Sequence, residues 1–282
     1  MFRVIAVLAL LCVTFSCQMR NASFSEPQNP CTRESLQAKV DLYIAALKKG
    51  EPSLMPLAHG AKYIENRKET FFEEGVWLEP VVVDFHRSLL DTETCETYTE
   101  IICASGSHPY VIGTRLKITG DTIAEVEALV TDEDDWLFNA SNYLKYSSHE
   151  NWSILPPEMR SDRQTLIRVA NAYFNVFKDR SYANEVPWNI PCARLEGGMY
   201  TNPDNKPDAS CTEGPPLEGS VEIINRRFIV DVDMGTVVGL VDFGDEDGWP
   251  DSHIFRLENG KMRYVHTLTV CPNGCVLPSP QE

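Results

Sequence analysis

The sequence predicts an α+β protein of two tandem halves, each a helix packed on a curved antiparallel sheet. Three observations predict it. Two segments with apolar residues at helical spacing, 32–49 and 162–178, open the halves. Each is followed by an irregular stretch and then by alternating segments separated by turn residues. Finally, residues recur. Ser35-Leu36, Tyr43 and Lys48 answer Thr165-Leu166, Tyr173 and Lys178 at an offset of 130, and Arg87 and Asp91 answer Arg227 and Asp231 at 140.

Residues 1–20 read as a secretory leader. Arg3 gives the positive start, and Val4 to Phe15 is an apolar run too short to span a bilayer. The first half is placed at 31–135. Thr32 is an N-cap candidate; Leu36, Val40, Tyr43, Ile44 and Leu47 form the apolar stripe; Gly50 ends the helix. Leu54 to Arg67 is mixed, broken by Pro56 and Gly60. After Pro80, Val81 to Phe85 reads as a strand. Leu89–Asp91 and Tyr98–Cys103 form a strand pair. A hairpin follows, from Val111 to Val130 around Gly120, and the acidic run Asp132–Asp135 closes the half. That run lacks EF-hand spacing and reads as a solvated loop.

A polar, aromatic connector, 136–160, reads as a surface linker. The second half is placed at 161–275. Its helix carries Leu166, Val169, Tyr173, Val176 and Phe177. A loop at Trp188–Pro191, the segment Cys192–Tyr200, a Pro/Asp/Asn-rich loop and the strand pair Phe228–Val232 and Val237–Phe243 come next. Last is a hairpin, Trp249 to His266, turning at Asn259-Gly260. A type I′ turn needs φ > 0 at both central residues, which Asn-Gly supplies.

The net charge is −16, which argues against nucleic acid and anionic lipid as partners. After the leader no segment approaches a membrane-spanning length. Three sequons, at Asn21, Asn139 and Asn151, fit a secreted chain. Cys31, Cys95, Cys103, Cys192, Cys211, Cys271 and Cys275 are disulfide candidates in an oxidising compartment. Cys192 with Cys211 and Cys271 with Cys275 are the simplest local pairs. A zinc site from Cys271, Cys275, His253 and His266 is the sharper alternative, but C-x3-C is a poor zinc pattern. No metal is expected.

The last hairpin has unusual polar density for an element that also carries core residues. Asp251, His253, Arg256, Tyr264 and His266 lie close together on it, which suggests a pocket wall. His253 and His266 are candidate acid/base groups, oriented by Asp251 or Asp231. Arg194, Arg227 and Arg256 are candidate donors, and Trp188, Tyr200, Phe255 and Tyr264 are candidate aromatic walls. Structural readings stand beside these. Arg227 with Asp231 and Arg256 with Glu258 fit cross-strand ion pairs. Glu196-Gly197-Gly198 fits a turn or bulge, Trp188 and Tyr264 fit core, and His266 fits a satisfied buried histidine.

A helix followed by a strongly bent sheet resembles the nuclear-transport-factor-2-like, or SnoaL-like, cone. Over most of residues 160–275 the chain more specifically resembles a family of fungal secreted proteins. The carrying residues are Pro191-Cys192, Arg194, Glu196-Gly197-Gly198, Tyr200-Thr201, Cys211, Arg226-Arg227, Asp231, Asp251-Ser252-His253, Phe255-Arg256, Glu258-Asn259-Gly260-Lys261 and Tyr264-Val265-His266-Thr267. Members with an assigned role look like the hetero-Diels–Alderases of tropolonic sesquiterpene pathways. The resemblance implies that a tropolone ortho-quinone methide, formed by loss of water, adds across an alkene of a humulene-type terpene. The partners would be apolar terpene and tropolone molecules, with no cofactor. Cone domains of this kind pair through their sheets, so a homodimer is one arrangement and an internal pair is another. Two other classes compete: a non-catalytic small-molecule-binding or effector-like protein, and a SnoaL-like cyclase or dehydratase using a His/Asp pair.

Overall fold

The computed structural model describes residues 31–212, 221–244 and 248–275. The leader and Asn21 lie outside these residues. Helix α1 spans Arg33–Lys49 and helix α3 spans Arg163–Lys178, with α2, Ala140–Ser147, between them. The caps are chemical. Thr32 Oγ1 accepts from Ser35 N at 3.2 Å, and Asp162 Oδ1 accepts from Thr165 N at 2.7 Å. Gly50, at φ 63°, turns the chain out of α1 where a side chain would be strained. Both predicted apolar stripes are buried.

Each half carries one six-stranded sheet. The first holds β1 (Leu57–Glu65), β2 (Lys68–Thr70), β3 (Phe85–Asp91), β4 (Glu96–Cys103), β5 (Tyr110–Thr119) and β6 (Thr122–Thr131). The second holds β7 (Trp188–Glu196), β8 (Met199–Tyr200), β9 (Ile223–Asp231), β10 (Thr236–Phe243), β11 (Trp249–Glu258) and β12 (Lys261–Thr269). The strand orders are β2-β1-β6-β5-β4-β3 and β8-β7-β12-β11-β10-β9, so the halves share one topology. The sheets are mixed rather than purely antiparallel, because β1 runs parallel to β6 and β7 parallel to β12. The long connection that a parallel pair needs is the rest of the half itself.

Four local expectations are corrected. Leu57–Glu65 is a strand despite lacking apolar alternation, because only Tyr63 of its nine residues is buried. Val81–Asp84 is not a strand. Val81 N donates to Leu47 O at 3.2 Å, which ties this segment to the end of α1, and the strand starts at Phe85. Trp188–Pro191 belongs to β7, not to a loop. Strand β8 reaches only Leu195 and Glu196, so Pro191 lacks a neighbour on that side, where its missing N–H matters least. The connector is more than a surface linker. It forms α2 and buries Tyr143, Trp152 and Leu155.

The layers run α1, first sheet, second sheet, α3. Each helix covers one face of its sheet, and the opposite faces pack on each other. Leu89, Tyr98 and Leu129 meet Ile229, Val238 and Ile254 there, and Tyr98 Oη lies 2.7 Å from Ser252 Oγ. The sheets therefore pair within one chain. The repeated aspartates hold this pairing reciprocally. Arg33 at the start of α1 binds Asp231 at 2.6 Å, and Arg163 at the start of α3 binds Asp91 at 2.8 Å. Each aspartate also accepts a backbone N–H of the other half, from Leu90 and Val230, both at 2.9 Å. The expected Arg227–Asp231 pair is thus not formed, because Asp231 is spent on Arg33.

Gly197 and Gly198 make the β7–β8 turn, against which the connector docks. Asn139 N donates to Gly197 O at 2.7 Å. A Cβ on Gly197, whose φ is 60°, would sit 2.2 Å from Trp136 O. Gly197→Ala is expected to cost more than about 1 kcal/mol, because alanine meets both the strained φ and the connector backbone. Thermal unfolding checks this; an unchanged midpoint would mean that the connector moves aside freely.

Three disulfides join Cys31 to Cys95, Cys192 to Cys211 and Cys271 to Cys275. Both local pairs suggested by spacing form. Cys103, a disulfide candidate, is instead free and buried among the apolar residues under α1. Among the described residues, no helix is long and apolar enough to cross a membrane.

Candidate functional site

The β11–β12 hairpin turns at Asn259 and Gly260, with φ of 52° and 73°, as the Asn-Gly pair requires. Its register, Arg256 opposite Tyr264 and Leu257 opposite Met262, contains a bulge. The matching bulge in β5–β6 puts Gly120 in the place of Asn259, so this part of the repeat runs at an offset of 139 rather than 140.

Alternation splits the hairpin's polar residues between two faces. Asp251, His253 and Phe255 face α3, while Ser252, Arg256, Tyr264 and His266 face the first half or the connector. The predicted site residues therefore form two groups, not one wall. The zinc alternative fails on the same geometry, since His253 and His266 lie on opposite faces and the two cysteines are bonded to each other.

The first group sits between α3 and the second sheet. His253 Nδ1 lies 2.5 Å from Asp251 Oδ1, and Thr269 Oγ1 donates to Asp251 Oδ2 at 2.5 Å. A carboxylate accepts, so the hydrogen bond to Asp251 places a proton on Nδ1 and leaves Nε2 turned to the site. Aromatic rings surround the imidazole: Phe174 at 5.3 Å, Tyr173 at 5.6 Å, Phe255 at 5.8 Å and Phe177 at 6.2 Å between centroids. Trp188 packs edge-on to Tyr173 at 5.9 Å.

Arg194, on the same face of β7, is 3% exposed and pairs with Glu196 at 2.9 Å. Thr267 lies directly opposite His253. Four buried polar atoms here have no hydrogen-bond partner in the structure: His253 Nε2, Arg194 Nε, Thr267 Oγ1 and the Tyr173 hydroxyl. Leaving such groups unpaired costs roughly 1–3 kcal/mol each, so a cluster of them calls for a reason. The Tyr173 hydroxyl lies beside the Arg194 guanidinium, and burial pushes its phenol up to about 12. It therefore stays a neutral donor. This face offers an unpartnered imidazole nitrogen, several donors and an aromatic enclosure.

The first half lacks these groups at equivalent positions. Register places Thr114 where His253 stands and Tyr63 where Arg194 stands. Thr114 is satisfied by Tyr43 at 2.9 Å. Trp77 fills the space with Tyr43, Tyr63 and Phe72 at 5.6 to 6.2 Å.

The second group lies at the seam between the halves. His266 is fully buried between two carboxylates, with Nδ1 2.8 Å from Glu100 and Nε2 2.6 Å from Glu150. Glu100 also accepts from Tyr143 at 2.7 Å and from Arg87 and Ser147 at 3.1 Å. Glu150 accepts from Trp152 at 2.8 Å and from Tyr200 at 2.9 Å. Burial opposes a charged imidazole, but the two carboxylates outweigh it and hold His266 up at about 9. Burial likewise opposes the Glu100 carboxylate, yet His266 and Arg87 bring it down to about 2.

The remaining residues have structural positions. Arg256 donates to Glu258 at 2.9 Å, to Met234 O at 3.2 Å and to Ser153 O at 3.0 Å, strapping the connector down. Arg227 binds Glu127 of the first half at 2.8 Å. Tyr264 stacks on Trp152 at 5.5 Å. Asn139 and Asn151 are exposed, and each spends its side-chain oxygen on a local backbone N–H, leaving the amide nitrogen that a glycan would use.

Sequence reasoning missed Glu100, Tyr143, Glu150, Thr267 and Tyr173 as site members. Glu100 carried a signal, since alternation from Tyr98 to Ile102 puts it on an otherwise buried face. Glu150 and Tyr143 carried none, because the connector's docking depends on both sheets.

Residues 159–269 match the profile of a protein family described as "Domain of unknown function (DUF8021)". The match runs from just before α3 to the end of β12, and so covers the second half with its His253 group. Comparison with curated proteins finds no match.

Proposed function

We propose that this protein is a secreted, cofactor-independent catalyst whose second half receives an apolar, oxygen-bearing small molecule between α3 and its sheet. One observation carries the reading: the unpaired His253 Nε2, Arg194 Nε and Thr267 Oγ1 share one face inside an aromatic enclosure. Three disulfides fit an oxidising compartment.

The reaction proposed is hetero-Diels–Alder addition of a tropolone ortho-quinone methide to a humulene-type alkene. His253 Nε2 takes the ring hydroxyl proton of the hydroxymethyl tropolone and passes it to the side-chain hydroxyl, which leaves as water. The Arg194 N–H and the Thr267 hydroxyl donate to the oxygen on which negative charge grows. New C–O and C–C bonds then close a dihydropyran, with no redox change. Holding the two partners together supplies up to roughly 7–11 kcal/mol of such a barrier. The His253–Asp251 dyad also favours a second reading, a cyclase or dehydratase that stops at water loss. Incubating the protein with a hydroxymethyl tropolone and humulene tests both. Adduct formed faster and in a narrower isomer ratio than in buffer supports the first. Quinone methide release without adduct supports the second, and equality with buffer sinks both.

A further inference from the structure

A pocket of about 320 Å3 opens at the seam, where α2 and the connector meet β8 and β12. Its volume falls in the range of small-molecule sites. It lies on the far side of the second sheet from His253 and is independent of the reaction proposed above. Three tyrosines line it. Tyr146 and Tyr200 stack with centroids 4.5 Å apart, and Tyr264 is backed by Trp152. Glu150 lines it too, with its side chain only 4% exposed.

The polar groups here are fixed before any ligand arrives. Glu150 is held by His266, Trp152 and Tyr200. Tyr200 spends its proton on Glu150, so its oxygen is left to accept. Asn202 is 5% exposed and locked to the Lys206 backbone through both ends of its amide. The Lys145 ammonium sits 4.9 Å over the Tyr146 ring, a donor at the edge. Behind the pocket, Glu100 and Glu150 are balanced by Arg87 and by His266 in its protonated form, so the buried network carries no net charge to attract an ion.

Aromatic faces, fixed acceptors, a donor at the edge and a balanced interior suit a ring with apolar faces and outward hydroxyls. We propose that the seam pocket binds a neutral, polyhydroxylated ring of one or two sugar-sized units. The ring faces would stack on the tyrosines, and its hydroxyls would donate to Tyr200 and Glu150 and accept from Lys145.

Titration calorimetry and saturation-transfer NMR on the full chain test this with chitobiose, mannobiose and catechol as probes. At least one disaccharide is expected to bind, and Tyr146→Ala, on a half-buried ring, is expected to weaken it about tenfold. Lys145→Ala, at an exposed position, is expected to weaken it several-fold with the fold intact. Binding of catechol alone would show a plain aromatic site and overturn the proposal. So would failure of both disaccharides, or disaccharide binding indifferent to Tyr146→Ala and Lys145→Ala. Thermal unfolding of each variant separates lost binding from lost fold.

Discussion

Glu100→Ala is expected to destabilise the protein by roughly 3–5 kcal/mol, the cost of breaking a buried ion pair by removing one partner. Glu100 is fully buried and joins both halves and the connector: Arg87 from the first sheet, Tyr143 and Ser147 from α2, and His266 from the second sheet. Alanine would leave the Arg87 guanidinium with no carboxylate within hydrogen-bond reach and His266 with Glu150 alone. Urea unfolding near pH 5.5 would measure this, and an unchanged midpoint would show that the network adds nothing to stability.

The same network predicts a pH profile. Glu100 is brought down from its ordinary 4.5 to about 2, so its contribution is full above 4.5 and is lost as pH falls from there through 2. His266 is raised from 6.5 to about 9, so its contribution is full below 6.5 and is lost as pH rises through 9. Stability from the seam should therefore be greatest between about 4.5 and 6.5. Glu100→Ala should remove the acid limb due to this group and shrink the alkaline one. A wild-type stability curve without an alkaline fall between about 6.5 and 9 would contradict the clamped histidine.

The parts of the fold that could be read from sequence are those decided locally. Thr32, Gly50 and Asp162 sit next to the helix ends they set, and Asn259-Gly260 dictates its own turn. Strand β1 was hidden because it is mostly half-exposed, so its pairing with β6 leaves no apolar period. The connector was misread because its polar residues are satisfied by distant partners. Glu150 reaches His266 across 116 residues, and Tyr143 reaches Glu100 across 43. The site was partly legible for the same reason. His253, Asp251 and Phe255 alternate on one strand, and the structure keeps them together. Tyr264, His266 and Arg256 are equally close in sequence, yet the pleat turns them to the seam.

His253→Gln should lower the proposed activity about 10²–10⁴-fold, the usual contribution of a positioned acid–base group. Glutamine approximates the volume of imidazole but has no nitrogen that can take up a proton, so the aromatic enclosure stays filled while proton transfer is lost. Asp251→Asn separates orientation from proton transfer. An amide can donate as well as accept, so the imidazole is no longer held with its proton on Nδ1, and a smaller loss is expected. Substrate affinity should change little in either variant, since Arg194, Thr267 and the rings remain. If His253→Gln keeps the full rate, the site acts only by holding two partners in contact, and the roles given to the dyad fall. The first half gives a comparison within the same chain. There Thr114 holds the position of His253, bonded to Tyr43, and Trp77 occupies the enclosure. Mutations at Thr114 should thus alter stability and leave turnover alone, whereas those at His253 should lower turnover.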